Sequence, residues 1–149
     1  MLSTINHLKE NKEIIKSLVD EVFNKHNLSA IDRYHVADLS SDSESILESF
    51  KQSLAGLFSG FPDLRVSIEH MIAENNIVVA ILSIIGTRTG SYKGLQPTNK
   101  QMQIRSSDLY RIENGKITAH RDVVNTLDLL TQTGAITYKY TSQYLSMNT

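Results

Sequence analysis

The chain contains no cysteine and no tryptophan, and only two of its 149 residues are proline. Without cysteine it can form no disulfide, no thiolate metal site and no thiol nucleophile. It also lacks an apolar run long enough to span a bilayer, and Lys9, Glu10 and Lys12 stand where a signal peptide needs its apolar stretch. We therefore predict a soluble, cytoplasmic protein with no membrane partner.

The chain also lacks a net excess of positive or negative charge. Lysine and arginine number 15 against 16 acidic residues, a formal net charge of -1, and the basic residues form scattered pairs rather than stripes. Such a chain has no long-range field to concentrate a polyanion, so we expect no nucleic-acid partner. A length of 149 residues with 40% hydrophobic content suits one domain with one core, covering residues 1–149.

Two amphipathic helices are predicted in the first half of the chain. Apolar residues between Ile14 and Phe23 recur at helical spacing, with charged residues on the opposite face. A second apolar stripe runs from Ile46 to Phe58. The candidate capping box Ser41-x-x-Glu44 precedes it, and Gly60 and Pro62 follow as stop signals. The polar segment between the helices has room for a short helix near 31–34.

After Pro62 the pattern changes to the alternation of β-strands. Residues 64–69 alternate, 77–85 are apolar on both faces as in a central strand, and 101–113 and 116–124 flank Asn114-Gly115. Asn-Gly between two such runs is the strongest short hairpin signal. A short helix or turn ending at Gly134 and a polar tail with three tyrosines complete the chain. Helices followed by hairpin-connected strands predict an α+β fold with helices on an antiparallel sheet.

Three sequence blocks carry a resemblance to a known family. They are Phe61-Pro62-Asp63-Leu64-Arg65, the Gly/Pro-containing segment 86–98, and the segment from Tyr110 to Val124 around Asn114-Gly115. In order and spacing they resemble the SnoaL-like polyketide cyclase or ester cyclase family of the NTF2-like superfamily. The resemblance covers residues 12–134 and leaves 135–149 as a C-terminal tail. It implies a cone-shaped fold with an internal pocket.

The resemblance also implies a chemistry. Characterised members close a polyketide ring by intramolecular aldol condensation without a metal or organic cofactor, and an aspartate serves as the general acid/base. The family's strand motif His-Trp-Asp places that aspartate at Asp122. Arg121 stands where the family usually has tryptophan, and the segment 34–40 keeps only a histidine, His35, of the motif expected after the first helix.

The residues themselves place His120 and Asp122 together. Strict alternation puts Thr118, His120, Asp122 and Val124 on one face of their strand and Ile117, Ala119, Arg121 and Val123 on the other. A separation of roughly 6.6 Å lets their charges couple, so Asp122 could carry a proton with His120 as its charge partner. The alternative is a structural pair or a solvated sheet face.

Four further residues are candidate substrate contacts: Asp108, Tyr110, Arg88 and His35. Asp108 and Tyr110 share a face of the partner strand, either in the pocket or on the outer side of the sheet. Arg88, like Arg105, could hold an anionic or enolate oxygen, or could be a solvated arginine. The five histidines are dispersed, so we expect no metal site and no cofactor.

Two functional classes remain open from the sequence. One is a cofactor-free lyase or isomerase acting on a small hydrophobic or carbonyl-containing molecule. The other is a small-molecule-binding or dimerisation module without chemistry. In either case the apolar two-faced strand 77–85 predicts a homodimer through the outer face of the sheet.

Overall fold

The computed structural model of the chain describes residues 1–36 and 41–137, without the side chains of residues 2–4 and 41–45. The side chains of the predicted capping box Ser41-x-x-Glu44 and the tail tyrosines Tyr138, Tyr140 and Tyr144 lie outside what is described. No helix in the described part of the chain is long and apolar enough to cross a membrane. The cytoplasmic location stays a prediction.

Within residues 1–36 and 41–137, four α-helices and four β-strands follow one another in the order that the sequence predicts, so the α+β class is confirmed. The helices are α1 (Leu2–Leu18), α2 (Ile31–Tyr34), α3 (Ser41–Gly60) and α4 (Thr126–Gln132). A π-helical turn, Val19–Asn24, continues α1, and a 3-10 turn, Leu28–Ala30, precedes α2. The strands are β1 (Arg65–Glu74), β2 (Ile77–Thr87), β3 (Gln101–Glu113) and β4 (Lys116–Val124).

The strands form one antiparallel sheet in the order β1-β2-β3-β4. β2 is therefore central, as its two apolar faces predict. Asn114 and Gly115 have φ values of 50° and 75° between β3 and β4. Both positions need the left-handed region that a tight I′-type hairpin turn requires, and asparagine and glycine reach it at the lowest cost.

The core lies between the helices and one face of the sheet, which we call the inner face. Buried residues of the helical layer, including Ile15, Leu18 and Phe58, pack with inner-face residues such as Val78 and Ile112. Ile46 is the exception in the predicted stripe of α3, because 69% of its surface is exposed. On β3 the buried side chains alternate with exposed or half-buried ones from Met102 to Ile112, so this strand shows the inner face most clearly.

The side chain of Asn24 fixes the helical layer to the edge of the sheet. Its Nδ2 donates to the carbonyl oxygen of Val66 at 2.9 Å, and its Oδ1 accepts from the amide of Val66 at 2.8 Å. The primary amide thus occupies the place of a neighbouring strand along β1. This pairing satisfies part of an otherwise open sheet edge.

Candidate functional site

The hairpin of β3 and β4 brings four polar side chains to one place on the inner face. Asp108 is directly opposite Asp122, and Tyr110 is directly opposite His120. Directly opposed residues of an antiparallel pair point to the same face of the sheet. Asp108 and Tyr110 are buried on that face, so His120 and Asp122 also point inwards.

A bulge in β4 determines which of its residues face inwards. Ile112 pairs with Ile117, but Arg111 pairs with Ala119, so Thr118 is an extra residue in β4. Strict alternation placed Ile117 on the face opposite His120, and that prediction is wrong. Ile117 is 2% exposed in the core, and the extra residue lets His120 and Asp122 share its face.

Asp108 is the hydrogen-bond acceptor at the centre of the group. Its Oδ2 accepts from the hydroxyl of Tyr110 at 3.1 Å and lies 3.1 Å from Nε2 of His120. The side chain of Asp108 is 6% exposed and that of His120 is 17% exposed. Oδ1 of Asp108 is buried and has no partner among the described residues. A buried polar atom without a partner is uncommon and often marks a functional site.

The ring of Tyr110 supports that of His120. The two rings stack with their centroids 4.4 Å apart and 8° between their planes. Burial raises the pKa of Tyr110 well above its usual value, and the negative charge of Asp108 and the hydrogen bond to it raise it further. The phenol therefore keeps its proton at neutral pH and stays a donor to Asp108.

Asp122 differs from Asp108 in its surroundings. Asp122 is exposed and makes no hydrogen bond to a described residue. The buried carboxylate of the group is therefore that of Asp108, one strand away from Asp122. Asp122 remains close enough to contribute to the raised pKa of Tyr110.

His35 approaches the hairpin from the helical layer. It follows α2, forms an isolated parallel bridge with Ile117, and its Nδ1 lies 3.0 Å from the carbonyl oxygen of Ile31. Phe50 of α3 lies between the two imidazoles, with its centroid 6.0 Å from that of His35 and 5.8 Å from that of His120. Burial lowers the pKa of His35, and the charge of His120 lowers it further.

Comparison with known proteins identifies the family. The model of the SnoaL-like polyketide cyclase family matches residues 13–133. The chain belongs to the SnoaL-like polyketide cyclase family. A search among curated proteins found no match.

Solved structures show the same fold for this SnoaL-like chain. AclR from Streptomyces galilaeus has a TM-score of 0.76 and 24% identity, over 94% of this chain and 90% of AclR. TsrD from Streptomyces laurentii has a TM-score of 0.75 and 18% identity, over 86% of this chain and 97% of TsrD. A SnoaL-like polyketide cyclase from Agrobacterium tumefaciens has a TM-score of 0.67 and 17% identity, over 82% and 96%. At these identities the likeness shows the fold alone.

Arg121, which replaces the tryptophan of the family motif, lies away from the site. It pairs with Leu109 and is exposed. Leu109 belongs to the set of β3 residues that alternates with the buried ones, so both side chains are on the outer face. The substitution therefore leaves the inner-face positions of this SnoaL-like hairpin unchanged.

Arg88 is not brought to the hairpin cluster. It follows the end of β2, where Thr87 pairs with Gln101, and Asp108 is seven residues (101 to 108) further along β3. At ~3.3 Å per residue that is roughly 23 Å. Its buried guanidinium donates to the carbonyl oxygens of Gln96 at 2.5 Å and Thr133 at 3.4 Å. Arg88 therefore fixes the 89–100 loop to the end of α4.

Phe50 is a residue of this cluster that the sequence did not indicate. Its place in the apolar stripe of α3 identified it as a core residue, which gave no sign that it contacts two histidines. Within residues 1–36 and 41–137, no three or more histidine or acidic side chains form a group that could hold a metal ion.

Proposed function

We propose that the chain is a cofactor-independent cyclase that uses general acid/base, aldol-type chemistry on a small carbonyl compound. The reaction would occur at the inner face of the β3–β4 hairpin. The observation that carries this proposal is the group of buried Asp108 and Tyr110 with half-buried His120, and Asp122 beside it on the same face. Family membership supports the reaction class, and the hairpin supplies the groups that it needs.

Ring closure of this kind needs a base and a donor. The base removes a proton from the carbon next to a carbonyl, and the electron pair of that bond moves into the enolate. The enolate carbon then attacks a second carbonyl of the same molecule, and the new alkoxide takes up a proton. Asp122 and His120 are the proposed proton-transferring groups, and Asp108, Tyr110 and His35 line the same region.

Isotope exchange tests this proposal without the natural substrate. The full chain is incubated in D2O with 2-tetralone, a cyclic ketone fused to a benzene ring, and loss of its α-protons is followed by NMR. We expect exchange above the buffer rate, and His120→Gln should slow it by roughly 10²–10⁴-fold, the usual share of general acid/base catalysis.

Arg121→Gln is the matched control, because it changes the next residue of β4 on the outer face. It should exchange protons at the rate of the original chain. Exchange no faster than in buffer, or equal rates for the original chain and His120→Gln, would contradict the proposal.

A second candidate is a small-molecule-binding or dimerisation module without chemistry, and the outer face of the sheet favours it. Ile72, Val79 and Leu109 form a row across β1, β2 and β3. Ile72 is 70% exposed and Leu109 is 39% exposed, and Val123 of β4 is 76% exposed. An exposed apolar sheet face suits a second copy of the chain.

The proposed homodimer is tested by light scattering at micromolar concentration. We expect a dimer mass for the original chain and a monomer mass for Val123→Glu, which puts a charge into the apolar face. Val36→Glu is the control, because Val36 is also exposed but lies outside the sheet. A monomer mass for the original chain would reject the dimer while leaving the proposed chemistry in place.

A further inference from the structure

The hydrogen bond between Asp108 and His120 determines which ring nitrogen of His120 is free. Oδ2 of Asp108 lies 3.1 Å from Nε2 of His120. A carboxylate oxygen accepts and does not donate, so Nε2 carries the hydrogen of this bond. In the neutral ring the lone pair is then on Nδ1, which has no hydrogen-bond partner among the described residues. A histidine with one nitrogen fixed and the other free is arranged to accept a proton.

The ring of His120 is held on three sides. Tyr110 covers one ring face at 4.4 Å, and Phe50 meets the ring at 77° with centroids 5.8 Å apart. The hydroxyl of Tyr110 donates to the oxygen of Asp108 that binds Nε2, so this oxygen has two donors. The carboxylate is itself 94% buried as a side chain, which restricts its rotation.

We infer that His120 is the proton acceptor of the site through Nδ1, and that Asp108 and Tyr110 are positioning residues that hold its ring in the Nε2–H form. This inference rests on the proposed function and deepens it. It moves the proton from the exposed Asp122 to the histidine beside it. In the reaction Nδ1 takes the α-proton of the ketone, the C–H electron pair becomes part of the enolate, and the imidazolium returns the proton to the alkoxide.

The other titratable groups around His120 fit this role. Asp108 and Tyr110 face it from β3. Asp122 is two residues further along β4 on the same face, and His35 approaches from the end of α2. His35 is kept neutral by burial, so it places no second positive charge beside a protonated His120.

Imidazole NMR tests the tautomer without any substrate. In a ¹H–¹⁵N spectrum of the full chain, the Nε2–H of His120 should exchange slowly enough with water to be observed and should show contacts to the ring of Tyr110. The signal should persist in Tyr110→Phe and Asp122→Asn, which leave the acceptor in place, and disappear in Asp108→Ala. A hydrogen on Nδ1 at neutral pH, or an Nε2–H signal that survives in Asp108→Ala, would overturn the inference.

The exchange of 2-tetralone protons tests the role of the pair. Asp108→Ala should lower kcat by about 10²-fold or more with little change in KM. The substitution releases the ring of His120 but does not release the bound ketone. Asp122→Asn should lower kcat less than tenfold. The reverse ranking of these two variants would assign the proton to Asp122 and overturn the inference.

Two further measurements keep the inference testable. If Asp108→Ala does not fold, Asp108→Asn replaces it in the kinetic comparison, and the spectrum of the original chain still decides the tautomer. If the original chain gives no exchange above buffer, the proposed function fails, whereas the Nε2–H signal continues to report on the pair. The two failures are therefore distinguishable.

Discussion

Replacing Gly90 by alanine should destabilise the protein, because the 89–100 loop touches the end of α3 through this residue. The amide of Gly90 donates to the carbonyl oxygen of Gly60 at 3.0 Å. A Cβ at Gly90 would lie 1.9 Å from the carbonyl oxygen of Ser59 and 2.9 Å from its carbonyl carbon. Both are backbone atoms of a helix, so they cannot rotate away.

The size of the effect follows from these distances. An ordinary contact begins at 3.4 Å, so the loop must retreat by about 1.5 Å (3.4 minus 1.9). That movement breaks the hydrogen bond to Gly60, which costs about 1 kcal/mol, and overpacking costs about 1–3 kcal/mol. We expect a loss of about 2–4 kcal/mol, or roughly 4–16 °C in Tm at ~2–4 °C per kcal/mol.

Gly56→Ala is the matched control. Gly56 lies within α3, and its added Cβ would meet nothing within 4 Å. Alanine is the better helix former, so this variant should gain roughly 0.5–1 kcal/mol. Thermal melting and urea titration of both variants check the prediction. A Gly90→Ala variant that melts within a degree or two of the original chain would refute the close-contact argument.

Three further predictions concern stability. Burial lowers the pKa of His35 below the ~6.5 of the unfolded chain, so the free energy of unfolding should fall as the pH drops through and below that value. His35→Gln should flatten this fall in urea titrations at acidic pH. The pKa of Tyr110 is raised, so its contribution should be lost as the pH rises above ~10, and Tyr110→Phe should remove that part of the alkaline loss. Asn24→Ala removes both hydrogen bonds to Val66 and should cost about 1–3 kcal/mol, with faster amide exchange at Val66 and no such change in Lys25→Ala.

β2, β3 and β4 could be predicted closely because each has a strong local signal, whereas the alternation that predicted the first strand ended at residue 69 and β1 continues to Glu74. β2 is apolar on both faces and is central. Asn114 and Gly115 form the hairpin turn and have the positive φ values that such a turn requires. The short helix near 31–34 has few anchoring residues in its sequence, yet it forms because Ile31 is fully buried in the core. The π-helical turn after α1 was not predicted, because its residues continue the same apolar stripe.

The sequence indicated which strands carry the candidate cluster, but not which side chains are buried in it. It put Asp108 and Tyr110 on one face of the strand that pairs with the strand of His120 and Asp122, but it could not show that Asp108 is buried while Asp122 is exposed. That difference depends on how far the helical layer extends over each strand. Arg88 was also open to two interpretations, since a buried arginine that binds backbone carbonyls has no signature in its neighbours along the chain.

The extra residue Thr118 has a consequence for sequence alignments of this family. A gap of one residue in β4 does not shorten the strand evenly; it exchanges which columns of the alignment lie on the inner face of the sheet on one side of the gap. Suppose that a relative lacks a counterpart of Thr118 and is aligned through His120 without a gap. Its core-facing residue then falls in the column next to that of Ile117, not in the column of Ile117 itself. Transfer of site residues between members should therefore begin from the His120–Asp122 segment, and residues before the bulge should be compared only after each chain's bulge has been located.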